Sequence, residues 1–192
     1  MRPPAKVLAP ADVRRLRARA KRGRHRLRND AIILLSFNAG LRACEIAGLD
    51  WSMLLTARGR VGWTLHVGRG IAKNGRSREL PVHPALRATL SELHGYYGNP
   101  RRGAVILSQK GGHMTPRSVV NWFAQTFAEL GLKGCSSHSG RRTFITRSAK
   151  LVAKAGGSLR DVQILVGHKD LATTQRYIDG DTQAQRKLVA ML

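Results

Sequence analysis

Apolar residues recur along this chain at two spacings, and the change from one to the other marks out its elements. Val13, Leu16 and Ala20 stand three and four apart inside an arginine-rich stretch from Pro10 to Arg22, which predicts a basic surface helix. The run AIILLSF predicts the body of a second helix capped by Asn29 or Asp30, and Gly40 supplies a left-handed stop just before Leu41 and Arg42. Between Val61 and Val67 the spacing falls to two. There Val61, Trp63, Leu65 and Val67 alternate with smaller or polar residues, as in a half-buried strand. Asn74-Gly75 is the dipeptide of a tight type I′ turn, whose two central residues both need positive φ, and RELPV resumes as the returning strand. Lys73 stands beside that turn.

Helical spacing returns at Pro84 and runs to about Leu93, and GAVIL has the composition of a short buried strand. Thr115-Pro116 opens a long helix with Val119, Val120, Phe123, Phe127 and Leu130 on one face, ended by Gly131. Another helix follows HSGRRTF. Ser158 and Asp161 make an acidic start for LRDVQILV, and Asp170 caps the segment that carries Tyr177. In the tail, Leu188, Val189 and Leu192 form a small apolar face. The expected fold class is therefore mainly α with a small antiparallel β-sheet. Trp51, Trp63, Trp122, Phe123 and Phe127 fall at amphipathic positions that favour core packing over base stacking, and Tyr96 and Tyr97 suit a loop surface or a packing role.

Composition changes the picture in one respect. A chain of 192 residues with 42% hydrophobic content buries a sizeable core and is not disordered, yet its formal net charge is +23. A field of that sign draws polyanions, so the expected partner is nucleic acid. No apolar stretch approaches the roughly 18 to 20 residues that span a bilayer, and the N-terminus lacks the apolar segment of a secretory signal, so a cytoplasmic, nucleoid-associated location is expected, with no membrane partner. Cys44 and Cys135 have no paired spacing, which argues against a disulfide framework. Cys135 and His138 form a C-x2-H fragment without the second knuckle of a structural zinc site, so neither metal nor other cofactor is expected.

Chemistry concentrates in three boxes. His138 and Arg141 in HSGRRTF are three apart, a spacing that on a helix turns both toward one target. Upstream, GLRACEIAGL carries Arg42, with Glu45 three residues on as a carboxylate suited to orient it. Downstream, VQILVGHKDLATTQRYI carries His168 and Tyr177. These strings resemble the signature segments of the tyrosine recombinase or phage integrase family, in the family's order and over about residues 10 to 180. The resemblance implies a tyrosine recombinase catalytic-domain fold at 10–180, preceded by a basic arm and first helix at 1–28 and followed by a tail helix at 181–192 that docks on a neighbouring protomer or on its own domain.

It further implies a site-specific recombinase that cleaves and rejoins double-stranded DNA through a covalent 3′-phosphotyrosine, as a homo-oligomer (a tetramer) on paired sites. Arg42 and Arg141 would bind the non-bridging oxygens of the scissile phosphate, and Tyr177 would be the nucleophile. His138 would accept its proton, and His168 would donate to phosphate and position the phenol. The hairpin Lys73 would protonate the departing 5′-oxygen, with Arg76 and Arg78 as neighbouring phosphate contacts. Members of that family generally carry a separate N-terminal helical domain that closes on DNA, whereas only residues 1–28 precede the matched core here. That favours binding through phosphate contacts and strong salt sensitivity. Two other functions fit the same boxes: a DNA-binding accessory protein with little cleavage, and a type IB topoisomerase-like activity. Gly140 stands where the family usually has an apolar residue, although many phage-type members have glycine there, and a looser local helix is the most that it would cost.

Overall fold

A computed structural model describes residues 4–72, 75–177 and 190. The chain divides into two compact units, Met1–Phe144 and Ile145–Leu192.

In the first unit, helix α1 (Pro10–Ala20) opens on its proline, whose missing N–H is no loss in a first turn, and buries Leu16 and Ala20. Helix α2 (Arg26–Asn38) begins earlier than its polar residues suggest, so Asn29 and Asp30 lie inside it rather than at its cap. Asp30 has a different task. Its buried carboxylate accepts from Arg17 Nε at 2.7 Å and Arg17 Nη2 at 2.9 Å, and from the Thr89 hydroxyl at 3.3 Å. One side chain thereby joins α1, α2 and α4 (Pro84–Tyr96). With α1 and α4 both packed against it, α2 buries AIILLSF on all sides, which is why that run shows no polar stripe.

Strands β1 (Thr64–Val67) and β2 (Arg78–Pro81) pair antiparallel, with Val67 opposite Arg78 and Thr64 opposite Pro81. Leu65, Val67 and Leu80 face inward. Pairing ends at Val67 and Arg78, so the connection is the segment 68–77; Lys73 and Asn74, and with them the expected Asn74-Gly75 turn, lie outside the described residues. Ile71 holds that connection to helix α3 (Ala43–Ala47), sitting so close over Gly48 that a Cβ there would lie 2.5 Å from Ile71 Cγ2.

The alternation from Val61 breaks at Gly62. Val61 bridges to Leu55 outside the sheet, and Trp63 turns outward, 58% exposed, with the Arg87 guanidinium stacked 4.4 Å above its ring. GAVIL is buried at Val105 and Ile106 but forms only isolated bridges, Asp50 with Ala104 and Leu107 with His113, rather than a strand. Helix α5 (Pro116–Glu129) is capped by Thr115, whose hydroxyl accepts from Ser118 N–H at 3.0 Å. Its core face is Val119, Phe123, Thr126 and Phe127, while Val120 is exposed and Leu130 is the residue that ends the helix. Trp51 is buried, as expected, and Trp122 only half so.

Helix α6 (Ser139–Leu151) begins in the first unit and continues into the second. The second unit then turns through Ala153–Ala155 and Gly156, whose φ of 72° reverses the chain. Helix α7 (Leu159–Val166) is capped by Ser158, with the Asp161 carboxylate accepting from Ser158 N–H at 2.7 Å. Gly167 stops α7 in the left-handed region, and α8 (Leu171–Gln175) follows. The tail residues Leu188, Val189 and Leu192 lie outside the described residues. No helix among the described residues is long and apolar enough to cross a membrane.

Candidate functional site

In the first unit, the C-terminal end of α2 positions the candidate arginines. Gly40 adopts φ 62°, which a side chain would resist, and Leu41 N–H closes back on Leu35 C=O at 3.0 Å. A Cβ on Gly40 would also lie 2.5 Å from the Phe144 ring. The stop leaves the Gly40 carbonyl free to accept from Arg141 Nη1 at 2.7 Å, across 101 positions of sequence. Arg141, 5% exposed, is thus held at the exit of α2.

Gly140 makes this possible. A Cβ there would lie 2.1 Å from Ser36 Oγ, 2.8 Å from Ser36 Cβ and 2.9 Å from Phe37 Cδ2. The expectation of a locally loosened helix is therefore corrected: α6 rests its backbone directly on α2, and only glycine fits.

Arg42 precedes α3 in an extended conformation, with its N–H donating to Glu45 Oε2 at 2.8 Å and its Nη1 to Glu45 Oε1 at 3.3 Å. Glu45 is completely buried, and it is bound most tightly by Arg78, which donates from Nη1 at 2.8 Å and Nη2 at 2.9 Å. Both terminal nitrogens of Arg78 are therefore engaged by a carboxylate. Burial opposes ionisation of Glu45, but the hydrogen bonds and charge of Arg78, the Arg42 N–H and the charge of Arg141 together hold its carboxyl below the ordinary range. Two distant arginines, Arg42 and Arg141, share the field of one carboxylate. His138 lies exposed in the turn just ahead of α6, its carbonyl accepting from Arg142 N–H at 2.9 Å. Lys73 is outside the described residues.

His168 and Tyr177 lie in the second unit. His168 follows the left-handed Gly167, with its N–H on Gln163 C=O at 3.1 Å. The buried Gln163 amide in turn donates to the carbonyls of His168 and Lys169, each at 3.1 Å, and fixes the loop. The His168 ring is pinned through Nδ1 to the Thr174 hydroxyl at 2.9 Å, and Thr174 is fully buried. Tyr177, just past the end of α8, stacks on that ring with centroids 5.9 Å apart and planes within 23°. The phenol is half-buried. No motif marks Gln163 or Thr174 as supports of the site, or Arg78 as the partner of Glu45; of these only Thr174, in the Thr-Thr pair before Tyr177, carries a local signal. Among the described residues no three His, Cys, Asp or Glu side chains gather as a metal-holding group.

The chain is similar to known proteins. Residues 6–184 match the model of the Phage integrase family. The chain is 35% identical over 159 residues to tyrosine recombinase XerC of Pseudomonas aeruginosa, covering 81% of the chain and 48% of that protein. It is 31% identical over 160 residues to tyrosine recombinase XerC of Rhodospirillum centenum, covering 82% of the chain and 44% of that protein. The chain thus spans about half the length of these curated relatives. Its fold matches the Tn1549 transposon integrase, solved in complex with a circular intermediate DNA, at a TM-score of 0.76 and 19% identity over 99% of this chain and 67% of that one. The integrase of mycobacterium phage Brujita gives a TM-score of 0.59 at 29% identity over 96% of this chain and 57% of that one.

Proposed function

This chain belongs to the phage integrase family, and from that premise we propose that it is the catalytic part of a site-specific DNA recombinase, cleaving and rejoining strands through a bond between Tyr177 and a 3′-phosphate. The observation that carries this reading is that Arg141 is fixed on the carbonyl of Gly40, two residues before Arg42, while Arg42 itself is held by the buried Glu45, so that the backbone brings the two arginines to one helix exit. Forked guanidinium groups match the two non-bridging oxygens and stabilise the added charge of the in-line transition state.

The Tyr177 oxygen attacks phosphorus, its proton passing to His138, and the bond to the 5′-oxygen breaks as Lys73 protonates that oxygen. The new phosphotyrosine keeps the energy of the bond it replaced, so a 5′-hydroxyl from another strand reseals it by the reverse steps. His168 serves two ends: its ring supports the phenol, and in the tautomer in which Nδ1 accepts from the Thr174 hydroxyl, Nε2 carries the ring proton and donates to phosphate. The partner is double-stranded DNA, and paired sites call for a homo-oligomeric assembly, a tetramer. The domain limits 1–28, 10–180 and 181–192 belong to the same proposal, as does a nucleoid location.

The test works whatever the target sequence is. The protein is incubated with a pool of nicked duplexes of randomised sequence, and DNA bound covalently to protein is recovered and sequenced. A shared recovered sequence is expected, together with complete loss of adduct in Tyr177→Phe. No adduct from the wild type, or equal adduct from Tyr177→Phe, overturns the proposal.

A further inference from the structure

Glu45 carries four donated hydrogen bonds, and they are unequal. Arg78 meets both oxygens end-on at 2.8 and 2.9 Å, whereas the Arg42 side chain makes one contact of 3.3 Å to an oxygen that Arg78 already occupies. The Arg42 N–H takes the remaining place at 2.8 Å, which fixes the backbone of Arg42 without using its guanidinium. Exposure follows the same order, with side chains 0% exposed at Glu45, 8% at Arg78 and 17% at Arg42. Arg78 also leaves its own buried Nε without an acceptor, a cost that the end-on fork imposes.

We infer that Arg78 is a positioning residue: by saturating Glu45 it keeps the Arg42 guanidinium from being captured by that carboxylate and leaves it available to a phosphate. The inference rests on the reading of Arg42 as a phosphate ligand. Its physical basis is that a buried carboxylate stripped of its forked partner recruits the nearest cation. Arg42 is three residues away, already touching, and needs only a side-chain rotation. The strand register makes the arrangement rigid, since Arg78 is the first paired residue of β2, opposite Val67. With Arg78 present, Glu45 is shared by the guanidinium groups of Arg78 and Arg42, and the forked contact belongs to Arg78.

The experiment uses the full chain and a nicked duplex recovered by the wild type. Arg78→Gln is expected to slow adduct formation by about 10-fold or more while DNA affinity changes by less than about 3-fold, because Arg42 is one of many phosphate contacts to the bound duplex but a principal contact to the transition state. The double variant Glu45→Gln with Arg78→Gln is expected to react within about 3-fold of Glu45→Gln alone, since the capturing carboxylate is gone. That comparison decides the matter even if Arg78→Gln alone does not fold. Weakened DNA binding in Arg78→Gln with a salt slope reduced by about one, unaltered by Glu45→Gln, would make Arg78 a phosphate contact and overturn the inference. So would an unchanged rate, or multiplicative losses in the double variant.

A second measurement separates this from the cleavage reading. The Nε–H signal of Arg42, assigned with Arg42→Lys, is followed by NMR as inorganic phosphate is added. It should respond in the wild type and about 10-fold more weakly in Arg78→Gln, and equal responses refute the positioning role even if the wild type never forms an adduct.

Discussion

At the scale of single residues, the site depends on a carboxylate that is not itself part of the reacting set. Glu45 is buried against cations, and its folded-state pKa lies below its unfolded value. Its contribution to stability is therefore complete above the ordinary carboxylate pKa of about 4.3 and is lost as pH falls through the depressed folded value. Glu45→Gln should cost about 3 to 5 kcal/mol at neutral pH, because Arg42 and Arg78 lose a buried counter-ion. The gap between the two proteins should close in acid. Urea midpoints at neutral pH and at steps down to about pH 3 measure this, and parallel curves would show that Glu45 is not held ionised by its neighbours. The spacing of Arg42 and Glu45 made their partnership legible in the sequence. Arg78 was not legible in that role, because its tie to Glu45 crosses 33 positions and only the pairing of β2 with β1 carries it there.

At the scale of elements, the decisive contact is α2 against α6. Gly40 ends α2 and presents a carbonyl, Gly140 lets the helices touch, and Arg141 takes the carbonyl as a result. Gly140→Ala should destabilise the protein by about 1 to 3 kcal/mol, since the added methyl group meets Ser36 and the Phe37 ring rather than empty space. Chemical denaturation checks the value. An unchanged midpoint would mean that the helices part without cost. The helical spacing of HSGRRTF predicted that His138 and Arg141 share a helix start, and they do so with His138 one position ahead of α6. A tight approach between two helices leaves no local mark, because a glycine required by a neighbour looks the same as one that loosens a turn. Asp30 shows the converse: a capping residue by type, it lies within α2 because Arg17 and Thr89 compete for its oxygens.

For the molecule as a whole, charge is the governing property. With a formal net charge of +23, DNA affinity should fall steeply with salt. A footprint of about six phosphates or more gives a loss of about 10³-fold between 50 and 200 mM salt. Fluorescence anisotropy on a labelled duplex reads the slope, and a slope shallower than about −2 would show that the excess cations do not face DNA. The chain alone determined the sign of this field, the helices with clear periodicity, the glycine stop at Gly40, the capped start of α7 and the order of the reactive boxes. All of these are properties of composition or of residues within a turn or two of each other, where backbone geometry translates spacing directly into structure. Tertiary structure decided that Arg78 serves Glu45, that Gly140 is a contact surface, that Trp63 faces outward and that strand pairing ends at Val67 and Arg78. Those outcomes depend on which segments return to lie side by side, and burial and pairing across such distances are set by packing that no local spacing encodes.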